Sequence, residues 1–336
     1  MAKTRSFENN NVIVDWTEEL VLLPNKHGTV QQLGLFQTEG VSEQVVQFEE
    51  TTVADGVMVD VVRGQRGTVG TDRTSKVRAW AIPHFKHSDA IFPGDVKAKR
   101  AYGSADQEDT LAAARVRKMQ DIQRIHASTQ ELARCKLITT GDVYAPNGTV
   151  SMNFYTEFGV SRKEIDFVLG TGTTSTIGKT EEVIGYMEDN ATGTMFNGVV
   201  GLASPEFFDA LIQHASVSNA YAYYKDGDQQ PLRNRLGLVG TQRVFYFGGV
   251  TYVEVRGSIA GTRLIPAKDC YFVPTGSDIF KTYFAPAQKF SLLNSVGEPM
   301  HMFEKVVDDE MHSIDTESNF LNAVKKPQLI IRGYTA

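Results

Sequence analysis

One segment of the chain restricts its fold more than any other, a helical pattern that continues for about thirty residues. Between Asp109 and Leu137, apolar residues recur largely at steps of three and four, while charged side chains cover the other faces. Such a helix measures roughly 45 Å at about 1.5 Å per residue, whereas helices in globular proteins average about eleven residues. We therefore expect this helix to run across the whole molecule as a spine.

A long hairpin and an extended arm are predicted before the helix. Two strand-like runs, 56–62 and 76–82, flank the glycine-rich stretch 64–74. A two-stranded ribbon is marginally stable alone in water, so a projecting one must lie against another surface. Residues 1 to about 50 show apolar clusters without a helical or strand period. We expect them to form an arm whose apolar side chains are buried by something other than the arm.

The predicted ribbon is basic, although the chain has a formal net charge of −6. That overall charge disfavours a dedicated nucleic-acid reader, which carries a strong positive field. A basic ribbon in an acidic protein is suited to the acidic surface of another copy. A solvated hairpin and a local nucleic-acid contact are the alternatives. The residues predicted to contact other subunits are Arg63, Arg66, Arg73, Lys76, Arg78, Trp80, Leu22 and Leu23.

Residues 180–300 have the pattern of a compact region of helices and strands. A strand is predicted at 197–203, followed by a helix with Ser204 as N-cap and Pro205 in its first turn. Gly248-Gly249 supplies the positive φ that a two-residue hairpin turn needs. Further strands are predicted within 141–155, at 300–307 and at 328–334, and the last two are expected to pair in a sheet away from the 180–300 region.

The stretch GTGTTSTIGKT, residues 170–180, follows an apolar run and ends in Gly-Lys-Thr, as a phosphate-binding loop does. Such a loop has about four residues between its first glycine and Gly-Lys-Thr. Here the interval from Gly172 to Gly178 contains one residue more, and Thr173 stands where the glycine belongs. We favour a flexible surface loop before a short helix that includes 181–184. A phosphate-loop enzyme is the alternative from a different functional class.

Other residue types that carry chemistry do not form a recognisable site in the sequence. His84 and His87 are three residues apart, but Pro83 breaks the helical turn that would bring them together. The acidic run 308–310 lacks the alternating ligands and the glycine of a calcium loop. We therefore predict no enzyme and no catalytic, cofactor-binding or metal-binding residues.

Nothing in the sequence predicts export or membrane insertion. The start, MAKTRSFENNNVIVDW, has no apolar core of signal-peptide length, and no segment approaches the roughly 18 apolar residues of a membrane span. Cys135 and Cys270 belong to no CxxC pair, and we expect both to be reduced and buried. These features favour a protein that is made and used in a cytoplasm.

Six stretches, taken in their order along the chain, carry a family resemblance. They are WAIPHFKH at 80–87, FPGD at 92–95, MQDI at 119–122, LITTG at 137–141, SPEFFDALI at 204–212 and KPQLIIR at 326–332. In this order they resemble the major capsid protein E family of tailed bacteriophages, the lambda type. The likeness covers nearly the whole chain, and the order of the stretches is more specific than any one of them.

The resemblance implies an α+β fold, the HK97-like fold of tailed-phage major capsid proteins. It divides the chain into an N-terminal arm at 1–50, an extended loop at 51–92, the spine helix and peripheral domain at 93–179, an axial domain at 180–299 and returning strands of the peripheral domain at 300–336. The stretch 170–180 then connects the peripheral and axial domains rather than binding a nucleotide.

The function that the resemblance implies is that of a major capsid protein. Hexamers and pentamers would assemble in the host bacterial cytoplasm into the icosahedral head shell of the virion, which encloses double-stranded DNA with weak, non-specific contact. The implied partners are other copies, a scaffolding protein, a portal and, in some members, a decoration protein, with no membrane. A nanocompartment shell of the same fold, an encapsulin-like protein, is the alternative.

Overall fold

The computed structural model describes residues 3–6, 12–15, 28–52, 62–63, 74–97, 111–222, 242–276, 278–308 and 310–335. Four of the predicted contact residues, Leu22, Leu23, Arg66 and Arg73, lie outside these ranges, as does most of the strand predicted at 56–62.

The strands in chain order are β1 (Lys3–Ser6), β2 (Val12–Asp15), β3 (Gln37–Gly40), β4 (Val45–Thr52), β5 (Thr74–Ala81), β6 (His84–Ile91), β7 (Glu164–Asp166), β8 (Gly198–Ala203), β9 (Val244–Phe247), β10 (Val250–Glu254), β11 (Ser258–Ile259), β12 (Thr262–Arg263), β13 (Asp269–Thr275), β14 (Phe280–Ala285), β15 (His301–Val307), β16 (Met311–Val324) and β17 (Ile331–Tyr334). The helices are α1 (Thr29–Gln32), α2 (Pro93–Lys97), α3 (Leu111–Thr140), α4 (Phe154–Phe158), α5 (Thr176–Asn190), α6 (Pro205–Gln213) and α7 (Ala215–Ala222), with 3-10 turns at Phe290–Leu292 and Pro327–Leu329.

The larger sheet joins the two ends of the chain. Its order is β1-β2-β15-β16-β14-β3, and β6 also pairs with β16. The 14-residue β16 organises it, because its first half pairs with β15 and β6 and its second half with β14, all antiparallel. The sequence analysis predicted neither β16 nor β6.

The spine helix α3 confirms the predicted long helix and lies along β16. Three of its residues, four apart, meet alternate residues of the strand. Four helical residues rise about 6 Å and two strand residues about 6.6 Å, so the two repeats nearly match. The pairs are Ile122 with Ile314 in one buried apolar cluster, His126 Nε2 with Thr316 Oγ1 at 2.9 Å, and Gln130 Nε2 with Ser318 Oγ at 3.4 Å.

The smaller sheet has the order β7-β17-β13-β8-β10-β9. Three features confirm the local predictions for this region: strand β8, the N-cap bond that Ser204 Oγ accepts from the Phe207 N–H, and the β9–β10 hairpin. Gly248 and Gly249 take the positive φ values of 57° and 81° that the hairpin turn requires. Buried side chains of α5 and α6 complete the core of this sheet.

Several predictions about strands and their pairing are wrong. The strand β17 pairs with β13 and β7 in the smaller sheet, so it does not pair with β15 as predicted. The strand β14, which lies within residues 180–299, belongs to the larger sheet. The strands predicted within 141–155 reduce to an isolated bridge between Asp142 and Asn153. Which strands form, and which sheet each one joins, depends on pairing between segments that are distant in the sequence. The local pattern of residues carries no information about such pairing.

The segment 28–36, predicted as part of an arm that needs another surface, packs on its own chain. Val30 is fully buried, and Leu35 and Phe36 are 6% and 8% exposed. The two N-terminal strands and β3 pair within the larger sheet. The described part of the predicted arm is therefore bound to the body of its own subunit.

Candidate subunit interface

The described base of the ribbon is formed by β4 and β5, which pair antiparallel from Val45 with Ala81 to Thr52 with Thr74. The return strand agrees with the sequence prediction. The outgoing strand begins at Val45, so the predicted boundary between arm and loop at residue 50 falls inside a strand.

One face of this ribbon packs on its own subunit. Because side chains alternate along a strand, Val46, Phe48, Arg78 and Trp80 share that face. Trp80 is 2% exposed, and its ring centroid lies 4.1 Å from that of Phe48 and 5.1 Å from that of Phe154 on α4. The aromatic contacts fix the base of the ribbon to the body.

Arg78 fastens the same face by charge. Its Nη2 lies 2.9 Å from Glu50 Oε2 across the ribbon, its Nη1 lies 3.2 Å from Glu157 Oε1, and it also donates to the Glu157 carbonyl oxygen. Burial by itself lowers the pKa of Arg78, but the hydrogen bonds to the two glutamates outweigh burial and raise the pKa. The guanidinium is therefore a permanent cation that positions the ribbon.

The opposite face of the ribbon is uncovered and mixes apolar residues of both strands with the exposed Gln47 and Glu49. Val77 is 65% exposed and Val45 is 41% exposed, and Ala79 and Ala81 on the same face are also exposed. Exposed β-branched side chains on a paired ribbon form a ready surface for another protein. This face is the stronger candidate for contact with a second copy.

Three of the predicted contact residues, Lys76, Arg78 and Trp80, lie on β5 and alternate onto the inner face of the ribbon. Arg78 and Trp80 are buried in their own chain, which corrects their assignment as side chains open to a neighbour. Lys76 and Arg63 are exposed. The prediction mistook the buried face for the outward one because strand alternation alone does not say which face meets the body.

A second exposed apolar group was missed by the sequence analysis. Phe290, Leu293 and Val296, on the turn between β14 and β15, are 87%, 69% and 61% exposed. The turn is held in place, because the Gly297 N–H donates to the Val41 carbonyl oxygen at 2.9 Å. The sequence does contain a signal for this exposed turn, because its apolar residues lie in a segment bounded by Pro286 and Pro299.

A cleft of about 1270 Å³ separates the ribbon base from the body. Phe48, Trp80 and Tyr283 are among its apolar lining, and Val45 and Val296 border it. One member of each exposed apolar group therefore borders the same concave surface, whose lining also includes charged side chains such as Glu39, Lys281 and Lys326.

The Gly-Lys-Thr segment lies at the start of α5, where its side chains are engaged in packing. The hydroxyl of Ser175 caps the helix by accepting the Gly178 N–H at 3.2 Å. Lys179 lies 3.3 Å from Glu182 on the helix surface. Thr180 is fully buried and lies 3.0 Å from the hydroxyl of Tyr252. Lys179 and Thr180 are thus committed to protein partners, and the loop that was predicted to be flexible becomes helical from Thr176.

The histidine pair predicted to lie in a surface loop is on strand β6. Because His84 and His87 are an odd number of residues apart, their side chains project from opposite faces. The ranges that the structure describes hold no group of three or more His, Cys, Asp or Glu side chains able to bind a metal ion. Among the same residues, no helix combines the length and the apolar character needed to cross a membrane.

Known proteins are similar to this chain in sequence. The profile of the family described as phage major capsid protein E matches residues 14–335. The major capsid protein of Pseudomonas phage KPP10 is 41% identical over 98% of this chain and 99% of its own length. The major capsid protein of Salmonella phage Felix O1 is 26% identical, over 98% and 97% of the two chains.

Solved structures agree at the level of the fold. The capsid of cyanophage P-SCSP1u gives a TM-score of 0.55 at 11% identity, covering 99% of this chain and 92% of the other. The mature capsid of bacteriophage PhiM1 gives 0.56 at 11% identity, covering 94% and 89%. These matches confirm the predicted HK97-like α+β fold, and the family match extends over nearly the whole sequence. The chain therefore belongs to the phage major capsid protein E family.

Proposed function

We propose that this major capsid protein assembles as hexamers and pentamers into the icosahedral head shell that encloses double-stranded phage DNA, with the ribbon of each subunit lying over the next subunit. Head-to-tail contacts of identical chains close into rings where the rotation between subunits allows it. Many modest contacts per subunit then add up to a stable shell.

The two-faced ribbon is the observation that carries this proposal. Its inner face is fixed by Trp80 and Arg78, so the exposed position of Val77 on the outer face is imposed by the subunit itself. The exposed apolar side chains of this face gain free energy when a neighbour removes them from water, at about 25 cal/mol per Å². The exposed Phe290 and Leu293 offer a second contact of the same kind.

The proposed domains follow the two sheets. We assign the larger sheet and α3 to the peripheral domain, and the smaller sheet with α5 and α6 to the axial domain. The partners proposed beyond the chain itself are a scaffolding protein, a portal and a decoration protein, and they rest on the family resemblance. The proposal includes no catalytic activity, and Thr180 of the Gly-Lys-Thr segment is buried and bonded to Tyr252 within the chain.

The test is to replace Val77 with aspartate and count shells. The side chain is 65% exposed, so the free energy of unfolding of the subunit should change by less than about 0.5 kcal/mol. Within an apolar interface, an unpaired carboxylate costs on the order of several kcal/mol at each contact. We expect Val77→Asp to yield soluble subunits and few or no shells by sedimentation and electron microscopy.

Ile177→Asp is the matched control, because it makes the same kind of change at a 47% exposed residue of α5. This variant should form shells in normal yield. Normal shells from Val77→Asp, with DNA inside, would exclude the outer face of the ribbon as a subunit contact.

A further inference from the structure

The loop that follows the spine helix carries one of the two Asn-Gly pairs in the sequence, at residues 147–148. The loop is fixed at its base, where an isolated bridge joins Asp142 to Asn153 and the Asn153 side chain donates to the Thr140 carbonyl oxygen at 3.1 Å. Both residues of the Asn-Gly pair lie beyond this base and are exposed. The pair therefore forms part of a solvent-facing tip on an anchored loop.

The tip is closed by a turn that opens easily. The Gly148 N–H donates to the Ala145 carbonyl oxygen at 2.9 Å, and Pro146 occupies the second position of the turn. Gly148 has a φ of 69°, and a Cβ built on it would meet no atom within 4 Å. An exposed hydrogen bond of this kind is exchanged for one to water, so it slows a reaction at the Gly148 nitrogen by at most about tenfold.

The second Asn-Gly pair, at residues 197–198, lies at the start of strand β8 inside the smaller sheet. This strand pairs with β13 on one side and with β10 on the other. The Asn197 N–H donates to the Thr275 carbonyl oxygen at 2.9 Å, and the side-chain amide packs against Gly276, where an added Cβ would lie 2.4 Å from Nδ2. Turning this amide toward the next backbone nitrogen requires opening the sheet, which costs far more free energy than opening an exposed turn.

We propose that Asn147 is a site of spontaneous deamidation in the folded subunit, with water as the co-reactant. The Gly148 backbone nitrogen attacks Asn147 Cγ, the Cγ–Nδ2 bond breaks, and Nδ2 leaves as ammonia with the proton that the attacking nitrogen gives up. Water then opens the five-membered imide at either carbonyl, which yields aspartate or isoaspartate. Glycine favours the attack, because it has no Cβ to shield the nitrogen and its backbone is the most flexible.

The two products change the turn in different ways. Aspartate keeps the backbone path and adds one negative charge to the formal −6 of the chain. Isoaspartate adds the same charge but also inserts Cβ into the backbone, which displaces the Gly148 N–H from the Ala145 carbonyl oxygen. Neither product requires assembly, so the inference is independent of the proposed shell function.

The purified, unassembled chain is incubated at several pH values and digested, and mass spectrometry follows the peptides that contain Asn147 and Asn197. We expect Asn147 to yield aspartate and isoaspartate at least about tenfold faster than Asn197 does. The rate should rise with pH, because the attacking nitrogen must lose its proton. In urea that unfolds the chain, the two pairs should react at similar rates, since the sheet no longer protects Asn197.

Asn147→Gln is the matched control variant, because its longer side chain would have to close a larger and less favourable ring. On isoelectric focusing, this variant should lack the acidic species that the wild-type chain accumulates.

Two results overturn the inference. In the first, Asn147 stays intact in the folded subunit although it converts in urea, so the turn protects the pair. In the second, Asn197 converts as fast as Asn147 in the folded subunit, so exposure on the turn confers no selectivity.

Discussion

The carboxylate of Glu131 on the spine helix accepts the backbone N–H of Val30 at 2.8 Å, and both residues are fully buried. Its second oxygen accepts the N–H of Gln31, the neighbouring free donor at the start of α1. Arg134, 4% exposed, lies one turn along α3 with its guanidinium carbon 5.3 Å from the ring centroid of Phe36. The spine helix thus holds the segment 28–36 by both charge and hydrogen bonding.

Glu131→Ala should strongly destabilise the subunit. The change leaves the N–H groups of Val30 and Gln31 without their acceptor and removes the negative charge closest to the buried Arg134. Leaving a buried N–H group without its acceptor costs about 1–3 kcal/mol. Chemical denaturation of the unassembled subunit measures this loss. Glu188→Ala on the exposed surface of α5 is the control and should change the free energy of unfolding by less than about 0.5 kcal/mol.

The stability of the subunit should depend on pH through Glu131. Burial raises the pKa of this carboxyl from 4.5 to about 6, although the hydrogen bonds from Val30 and Gln31 lower it. Since the folded state binds the proton more tightly, the stabilisation is complete below the unfolded pKa and is lost as the pH rises through about 6. Relative to Glu131→Gln, the wild-type subunit should lose about 2 kcal/mol between pH 4.5 and 7.

Denaturation curves of the two proteins at several pH values provide the measurement, because all other titrating groups are common to both. A constant difference between wild type and Glu131→Gln across this range would mean that the carboxyl titrates as it does in the unfolded chain.

Elements with strong local signals could be predicted from the sequence. The spine helix was predicted at 109–137 and lies at Leu111–Thr140, because its apolar spacing repeats over many turns. Ser204 before Pro205 correctly predicted a helix start, and Gly248-Gly249 a hairpin, since each position demands a specific backbone conformation or cap.

The central strand β16 could not be predicted because a run of buried polar residues occupies its middle. Thr316, Glu317, Ser318 and Asn319 are all at most 5% exposed, whereas a buried strand is recognised from apolar alternation. Their partners come from distant segments, as when Glu317 Oε2 accepts the Gln288 N–H at 2.8 Å. The sequence predicted a subunit contact on the ribbon, but which face of the ribbon points outward depends on how Trp80 packs against the body.

Two glycines should respond in opposite ways to substitution by alanine. A Cβ at Gly297 would lie 2.1 Å from the Phe284 carbonyl oxygen, which is backbone and cannot move aside. Gly297→Ala should therefore destabilise the subunit by several kcal/mol or prevent folding. Steric overlap with fixed backbone is among the causes of the largest losses of stability in point mutants. At Gly185, inside α5, an added Cβ would have no other atom within 4 Å.

Gly185→Ala should raise the free energy of unfolding by about 0.5–1 kcal/mol, because alanine reduces the backbone entropy lost on forming a helix. Thermal unfolding of both variants tests the pair. A Gly297→Ala protein as stable as the wild type would contradict the close approach of the turn to β14.

The Gly-Lys-Thr segment offers the last prediction, in which two adjacent residues should behave in opposite ways. Lys179 makes an exposed ion pair with Glu182, and such pairs contribute about 0–1 kcal/mol. Lys179→Ala should therefore leave subunit stability and shell yield unchanged. Thr180 is fully buried and bonded to Tyr252, so Thr180→Val leaves a buried hydroxyl without its partner and should cost about 1–3 kcal/mol.

A nucleotide site would produce the reverse pattern, because the lysine of a phosphate loop contacts the phosphates directly and its loss abolishes binding. Isothermal titration of the wild-type subunit with ATP and GTP, each with Mg²⁺, should therefore give no heat of binding. Measured binding that disappears in Lys179→Ala would reinstate the enzyme alternative, and unchanged stability of Thr180→Val would remove the packing role that this structure gives to the motif.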